Sequence, residues 1–225
     1  MTKIPTGSEV FDELLEGGYE TDIVTTVFGP AGSGKTNLCI VSAVETVKQG
    51  KKVIYIDSEG GFSVERIKQL TPDYKETLDN IFFLKPITFD EQKASFEQLK
   101  NLVNDKIGLI VIDSIVMLYR LEIAKTDDVY NLNRQLGQQL GFLTEIARRQ
   151  NVPVLVTNQV YADFDNKEKV NMVGGDILKY GSKCIIELQK GHKSLRKAIL
   201  RKHRHLAEGN EALFIIENEG LKKQD

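Results

Sequence analysis

The apolar positions of this chain fall into short runs that alternate with longer amphipathic segments. Each run is rich in Val, Ile, Leu or Phe and lacks the apolar–polar alternation of a strand with one exposed face. This pattern is typical of parallel strands that are buried on both faces of a sheet. The predicted strands are residues 23–28, 52–57, 81–84, 109–113 and 152–157.

Amphipathic segments with helical spacing separate these strands. The predicted helices are residues 36–49, 63–70, 89–104 and 132–150. This strand–helix–strand order predicts an α/β fold with a mostly parallel central sheet flanked by helices. The last third differs, because residues 183–189, 194–202 and 212–217 predict antiparallel strands added to the edge of that sheet. No linker or repeat interrupts the chain, so we expect one domain over residues 1–225.

A glycine-rich segment directly follows the first predicted strand and matches the pattern G-x-x-x-x-G-K-[ST]. Its glycines allow successive backbone N–H groups to face phosphate oxygens at the start of a helix. Lys35 would then contact the β- and γ-phosphates, and the Thr36 hydroxyl would bind Mg²⁺. The segment predicts ATP and Mg²⁺ as ligands, with a merely glycine-rich turn as the alternative. The predicted cofactor-binding residues are Gly29, Pro30, Ala31, Gly32, Ser33, Gly34, Lys35 and Thr36.

Three polar residues stand at the carboxyl ends of predicted strands, which is the ligand side of an open α/β sheet. Asp113 ends a strand of four aliphatic residues, and we expect it to orient Mg²⁺, with a solvated acid as the alternative. Glu59 follows the second strand and is the candidate general base for hydrolysis, unless it caps the helix near Ser63. Gln159 follows the fifth strand and is the candidate sensor of the γ-phosphate. The candidate catalytic residues are therefore Glu59, Lys35 and Gln159.

Composition limits the class of protein. The hydrophobic fraction of 41% and charged fraction of 28% are those of a globular protein. We expect a cytoplasmic protein without a membrane partner, because no long apolar segment or signal-peptide pattern is present. The net charge of −2 argues against a wholly basic nucleic-acid binder but leaves room for a local basic face. Cys39 and Cys184 lie in apolar stretches and are predicted to be buried and reduced.

Residues 179–205 contain nine Lys and Arg residues against one acid, Glu187. Adjoining strands could present part of this charge to phosphates. The alternative is a solvated strand edge whose lysines prevent aggregation. His192, His203 and His205 also fall here, but no zinc-binding spacing supports a metal site, so phosphate contact or solvation is favoured. The candidate DNA-binding residues of this stretch are Lys193, Arg196, Lys197, Arg201, Lys202 and Arg204.

Taken together, these motifs resemble the RecA/RadA/Rad51 recombinase family, most closely its archaeal RadB branch. The joint spacing of the motifs carries the likeness, which runs from the first residues to Leu221. The matching segments are residues 4–7, 12–15, 17–18, 29–36, 55–62, 109–114, 156–160, 174–175 and 178–180.

The resemblance implies a RecA-like P-loop ATPase core and a role for each matching residue. In it Glu59 is the catalytic glutamate, Asp113 orients magnesium, and Gln159 senses the γ-phosphate. It also implies two DNA-facing loops, near residues 119–130 and 161–173. After the first loop, Arg134 matches an arginine that would stack on or pair with the DNA backbone.

The departures from the family's pattern change the expected role. The sequence begins almost at the ATPase core, so we expect neither the recombinase's N-terminal DNA-binding domain nor its separate polymerisation motif. Residues 202–205 read Lys-His-Arg-His where recombinases carry an acidic, proline-containing cap. The resemblance therefore implies an accessory paralogue with weak ATPase activity that binds single-stranded DNA and assists the main recombinase RadA, and it leaves a homo-oligomer open. The alternative is an ATP-gated, KaiC-like interaction or signalling module without direct DNA binding.

Overall fold

The computed structural model describes residues 2–162 and 170–224, and its strands and helices alternate along most of the chain. The strands are β1 (Lys3–Ile4), β2 (Tyr19–Glu20), β3 (Val24–Phe28), β4 (Lys52–Asp57), β5 (Ile81–Leu84), β6 (Ile107–Asp113), β7 (Val154–Asn158), β8 (Val160–Ala162), β9 (Val170–Met172), β10 (Cys184–Lys190), β11 (Arg196–Lys202), β12 (Glu211–Glu217) and β13 (Gly220–Gln224). The helices are α1 (Glu9–Leu14), α2 (Lys35–Lys48), α3 (Val64–Leu70), α4 (Tyr74–Asp79), α5 (Phe89–Leu102), α6 (Met117–Ile123), α7 (Val129–Gln150) and α8 (Gly175–Gly181).

The main sheet, within the described residues, has the strand order β13-β12-β11-β10-β3-β7-β6-β4-β5. Neighbouring strands from β10 to β5 are parallel, and those from β10 to β13 are antiparallel. The predicted parallel sheet with antiparallel strands at its end is therefore confirmed. Strand β10, predicted at residues 183–189, joins the two parts of the sheet, because it is antiparallel to β11 and parallel to β3.

Consecutive residues of β4 pack on opposite faces of the sheet. Val53 and Tyr55 lie in a core shared with α1 and α2, whereas Ile54 and Ile56 lie in a second core shared with α5, α6, α7 and α8. All four side chains are fully buried. This burial on both faces explains why the predicted strands show no alternation of apolar and polar residues.

The first segment expected to be a DNA-facing loop, residues 119–130, begins inside helix α6. Tyr119 is buried, and its hydroxyl donates a 2.5 Å hydrogen bond to Asn133 Oδ1 on α7. Only residues 124–128 lie between the two helices. The predicted loop is therefore wrong at its start, because the apolar face of α6 packs on the core there. The second segment, residues 161–173, begins and ends in the antiparallel pair β8–β9, and residues 163–169 lie outside the described residues.

Both cysteines are free and buried, as predicted. Burial raises the pKa of the Cys184 thiol to about 12, so this group stays protonated and unreactive near neutral pH. No helix of the described part of the chain is long and apolar enough to cross a membrane.

Candidate functional site

The glycine-rich loop connects the end of β3 to the start of α2 at the carboxyl edge of the sheet. A Cβ atom at Gly29 would lie 2.3 Å from the carbonyl oxygen of Leu188, so only glycine fits where the loop crosses β10. Gly34 caps α2 with a φ of +108°, in the left-handed region that favours glycine. The loop therefore surrounds the free N–H groups of the first turn of α2, as an anion-binding loop requires.

Lys35 and Ser33 have polar atoms that fit a phosphate ligand. The buried Lys35 Nζ donates to the carbonyl oxygens of Gly29 at 2.8 Å and Pro30 at 3.1 Å. Burial lowers the pKa of Lys35, while the negative charges of Glu59 and Asp113 oppose that shift. Ser33 Oγ is buried and has no hydrogen-bond partner among the described residues. Because an unpaired buried hydroxyl is costly, these groups are suited to an oxygen-rich anion.

Asp113 lies at the end of β6, where it is 1% exposed. Its Oδ1 accepts a 2.5 Å bond from Thr157 Oγ1, and its Oδ2 accepts a 3.1 Å bond from the Tyr55 hydroxyl. Burial raises the pKa of Asp113, and hydrogen bonds from Thr157, Thr36 and Tyr55 act in the opposite direction. The contact with Thr36 brings together the two side chains that the sequence predicts for Mg²⁺, an ion that prefers oxygen ligands.

Glu59 lies on an exposed turn that Asp57 organises. The Asp57 carboxylate, buried at the end of β4, accepts hydrogen bonds from the backbone N–H groups of residues 59–62 at 2.8–3.3 Å. These bonds hold the turn so that the Glu59 side chain projects toward the glycine-rich loop and lines the same cavity. The role of Asp57 was not predicted from the sequence. Its position directly before Ser58-Glu59-Gly60-Gly61 is a usable signal, because an Asp side chain commonly accepts hydrogen bonds from the backbone N–H groups that follow it.

Gln159 links Glu59 to helix α6. Its side-chain Nε2 donates a 2.7 Å hydrogen bond to Glu59 Oε1, and its Oε1 accepts a hydrogen bond from Arg120 Nη1. Glu59, Gln159 and Arg120 thus form a continuous polar chain between the glycine-rich loop and the segment that follows Asp113. Arg120 was missed because its partner is 39 residues away in the sequence, a separation that no local pattern reveals.

These residues surround a cavity of about 490 Å³. Arg196 also lines it, with its guanidinium 3.4 Å from the carbonyl oxygen of Gly32. A larger cavity of about 600 Å³ lies elsewhere, near Phe28 and Tyr180, and its wall contains the already paired Glu187 and Arg201. The smaller cavity is the better candidate because the residues that the sequence singles out converge there.

The basic residues of the 179–205 stretch have mostly intramolecular partners. Arg201 pairs with the buried Glu187, Lys197 with Glu211, and Arg204 with Glu20 and Asp22. Lys202 Nζ donates to the carbonyl oxygen of Lys179, and Arg196 lies at the cavity. Lys193 is exposed in the β10–β11 turn, and Arg134 is exposed on α7 with a 3.0 Å bond to Asn131 Oδ1. Several of the candidate DNA-binding residues are therefore engaged in intramolecular contacts, and their role in DNA binding stays a prediction.

An Arg201→Ala substitution is expected to lower the free energy of unfolding by about 1–3 kcal/mol, because it leaves the buried Glu187 carboxylate without its cation. The value is below that of a fully buried pair because the Arg201 side chain is 46% exposed. Urea unfolding followed by circular dichroism measures it. Lys197→Ala is the matched control, since its partner Glu211 is half-exposed and the loss should stay below about 1 kcal/mol. Equal effects of the two substitutions would contradict the assignment.

Comparisons with known proteins agree with this geometry. The Rad51 family model matches residues 1–224. The chain is 44% identical to the DNA repair and recombination protein RadB of Methanobrevibacter smithii, over 97% of this chain and 95% of the relative. It is 45% identical to the RadB protein of Methanococcus maripaludis strain C7, over 95% of this chain and 97% of the relative.

A solved structure described as the crystal structure of the RadB recombinase has the same RecA-like fold. It superposes with a TM-score of 0.86 at 36% sequence identity and covers 99% of this chain and 100% of that chain. The chain therefore belongs to the Rad51 family of recombinases, in which it resembles the archaeal RadB proteins.

Proposed function

We propose that the protein binds ATP with Mg²⁺ in the 490 Å³ cavity beside the glycine-rich loop. The N–H groups of that loop and the first turn of α2 would hold the phosphates, and Lys35 would turn from its carbonyl partners toward them. Thr36 and Asp113 would hold the magnesium ion, directly and through its water shell. When bound, Mg²⁺ neutralises charge that develops on the β- and γ-phosphates. The buried Ser33 hydroxyl, which has no partner in the described part of the chain, supports this proposal.

The proposed catalytic step is general-base hydrolysis of ATP. Glu59 would accept the proton of the attacking water, and its exposed position on the cavity wall leaves access for that water. Gln159 would orient Glu59 and respond to the γ-phosphate. Because Gln159 already occupies one oxygen of Glu59, we expect the carboxylate to be partly diverted from water and the ATPase activity to be weak.

We further propose that the protein acts as an accessory recombinase paralogue in homologous recombination and DNA repair. The relatives named for DNA repair and recombination support this role, because they match almost the full chain at 44–45% identity. The expected partners are single-stranded DNA, the main recombinase RadA and, as a homo-oligomer, further copies of the chain. The protein would act in the cytoplasm as one RecA-like domain.

The observation that carries the proposed function is the polar chain from Glu59 through Gln159 to Arg120. Gln159 directly precedes β8, which leads into the second candidate DNA-facing segment, and Arg120 lies on α6, the helix that leads into the 124–128 connection of the first. A change at Glu59 on ATP binding would thus be transmitted to both segments through two hydrogen bonds. This connection supports DNA binding that depends on nucleotide, even though much of the basic 179–205 stretch is paired internally.

Fluorescence anisotropy of labelled single-stranded DNA tests the proposal, at several salt concentrations and with or without ATP and Mg²⁺. We expect binding that weakens steeply with salt and changes with ATP. Arg134→Ala should weaken it several-fold and lower the salt slope by about one. Arg148→Ala is the matched control, because Arg148 is exposed in the last turn of the same helix. Absence of binding at low salt would reject the DNA role and favour the ATP-gated interaction module.

A further inference from the structure

Glu20, His203 and His205 form a compact cluster outside the nucleotide cavity. Glu20 ends β2, just before β3, while the two histidines follow β11. The glycine-rich loop follows the other end of β3, so the cluster and the cavity lie at opposite ends of that strand. The polar residues proposed for ATP binding and hydrolysis therefore do not account for this cluster.

One oxygen of the buried Glu20 carboxylate has no hydrogen-bond partner among the described residues. The side chain is 0% exposed and Oε2 is ion-paired with Arg204 Nε at 2.5 Å, but Oε1 has no such partner. Oε1 faces both imidazoles, 3.3 Å from His205 Nδ1 and 4.0 Å from His203 Nε2. Because a buried carboxylate oxygen without a partner is costly, Oε1 is suited to a cationic ligand at this point.

The spacing of these atoms fits a tetrahedral metal ion. The three ligand atoms lie within 4.8 Å of one another. Bonds of about 2.1 Å from a central ion to nitrogen and oxygen give ligand–ligand distances of roughly 3.4 Å. The 3.3 Å distance from Glu20 Oε1 to His205 Nδ1 already matches this value, whereas His203 Nε2, 4.0 Å from Oε1, would have to move closer. His203 is 2% exposed and His205 is 42% exposed, which gives one buried ligand and an open side for entry.

Arg204 leaves Oε1 available for the ion. Its Nε lies 2.5 Å from Glu20 Oε2, and its Nη2 lies 2.6 Å from Asp22 Oδ1. The guanidinium thus occupies the other oxygen of Glu20, and Asp22 offsets its charge. Glu20, Asp22 and Arg204 together carry a net charge of −1, and Lys3 adds a positive charge near His203.

We propose that Glu20, His203 and His205 bind one Zn²⁺ ion, with water as the fourth ligand. Two imidazoles and one carboxylate suit zinc better than Mg²⁺ or Ca²⁺, which prefer oxygen ligands only. The ion ties the antiparallel pair β1–β2 to the turn after β11 and so stabilises the fold. No zinc-binding spacing marked the site in the sequence because its carboxylate comes from the opposite end of the chain.

Zinc binding has a local structural consequence at His203. Its Nδ1 accepts long bonds from the backbone N–H groups of His205 at 3.4 Å and Leu206 at 3.2 Å. Coordination through Nε2 places the ring proton on Nδ1, so both bonds are lost when zinc binds. The amide NMR resonances of His205 and Leu206 should therefore shift on zinc addition, which identifies the ligating nitrogen.

The test titrates chelator-treated protein with Zn²⁺, in excess Mg²⁺ and without nucleotide, so that the proposed magnesium ligands do not bind zinc. Co²⁺ serves as the spectroscopic probe, because a tetrahedral site gives visible d–d absorption. We expect one Zn²⁺ per chain and a rise in Tm of roughly 5–10 °C at a zinc concentration 100-fold above Kd.

His205→Ala should weaken zinc affinity by at least about 100-fold, since it removes a direct ligand. This side chain is partly exposed, so the variant should fold, which circular dichroism verifies. His192→Ala is the matched control, because His192 is the remaining histidine and is exposed outside the cluster. Three outcomes would overturn the proposal: no zinc binding tighter than about 10 µM, affinity unchanged in His205→Ala, or equal weakening by both substitutions.

Discussion

A Glu59→Gln substitution is expected to lower kcat for ATP hydrolysis by about 10²–10⁴-fold and to leave nucleotide affinity within roughly twofold. Glutamine has the shape of glutamate but cannot accept the proton of the attacking water. Its side-chain carbonyl can still accept the hydrogen bond that Gln159 donates, so the polar chain to Arg120 is retained. Steady-state phosphate release measures kcat, and titration with a fluorescent ATP analogue measures affinity.

Glu65→Gln is the matched control for this experiment. Glu65 is a nearby exposed glutamate on α3 whose only described partner is Lys68, three residues away. It makes the same change of charge without touching the cavity, so kcat should stay at the wild-type value. Hydrolysis by Glu59→Gln at the parental rate would show that another group acts as the base. A parallel loss of nucleotide binding would instead assign Glu59 a role in holding the ligand.

Elements buried on both faces were predicted well from the sequence. The bounds of β4 and β5 match the predicted runs. Burial on both faces explains the apolar run of β4, whereas β5 is the edge strand and its Phe82 is exposed. Strand β13 was not predicted, since it contains Lys222, Lys223 and Gln224 and has only its first two residues buried. It forms because it pairs with β12 at the edge of the sheet. Such pairing depends on tertiary context and leaves little trace in local composition.

The residues of the candidate site were predictable where a single short sequence motif contains them. The glycine-rich loop and Asp113 could be read from a strand followed by a short pattern. Asp57 and Arg120 could not, because their effect depends on which backbone or side chain lies opposite them after folding. The same limit applies to Glu20, whose two histidine neighbours lie more than 180 residues away along the chain.

A Lys35→Ala substitution is expected to weaken ATP affinity by at least about 100-fold, equivalent to roughly 2.7 kcal/mol. The loss follows from the removal of charge-assisted hydrogen bonds to the β- and γ-phosphates, each of which contributes about 1.5–3 kcal/mol. Burial already lowers the pKa of Lys35, so bound phosphate should raise it again by stabilising the charged form. Isothermal titration calorimetry with ATP and Mg²⁺ measures the affinity.

Lys48→Ala provides the matched control, since Lys48 is exposed in the last turn of the same helix and far from the loop. It should bind ATP as tightly as the wild type does. Lys35 makes hydrogen bonds to Gly29 and Pro30 that water can replace, so the variant should fold and its circular dichroism should be unchanged. If folded Lys35→Ala retained ATP affinity within threefold, the phosphates could not lie at the glycine-rich loop. The proposed coupling between nucleotide binding and DNA binding would then also be rejected. Glu59, Gln159 and Arg120 can transmit a structural change only if the nucleotide binds in that cavity.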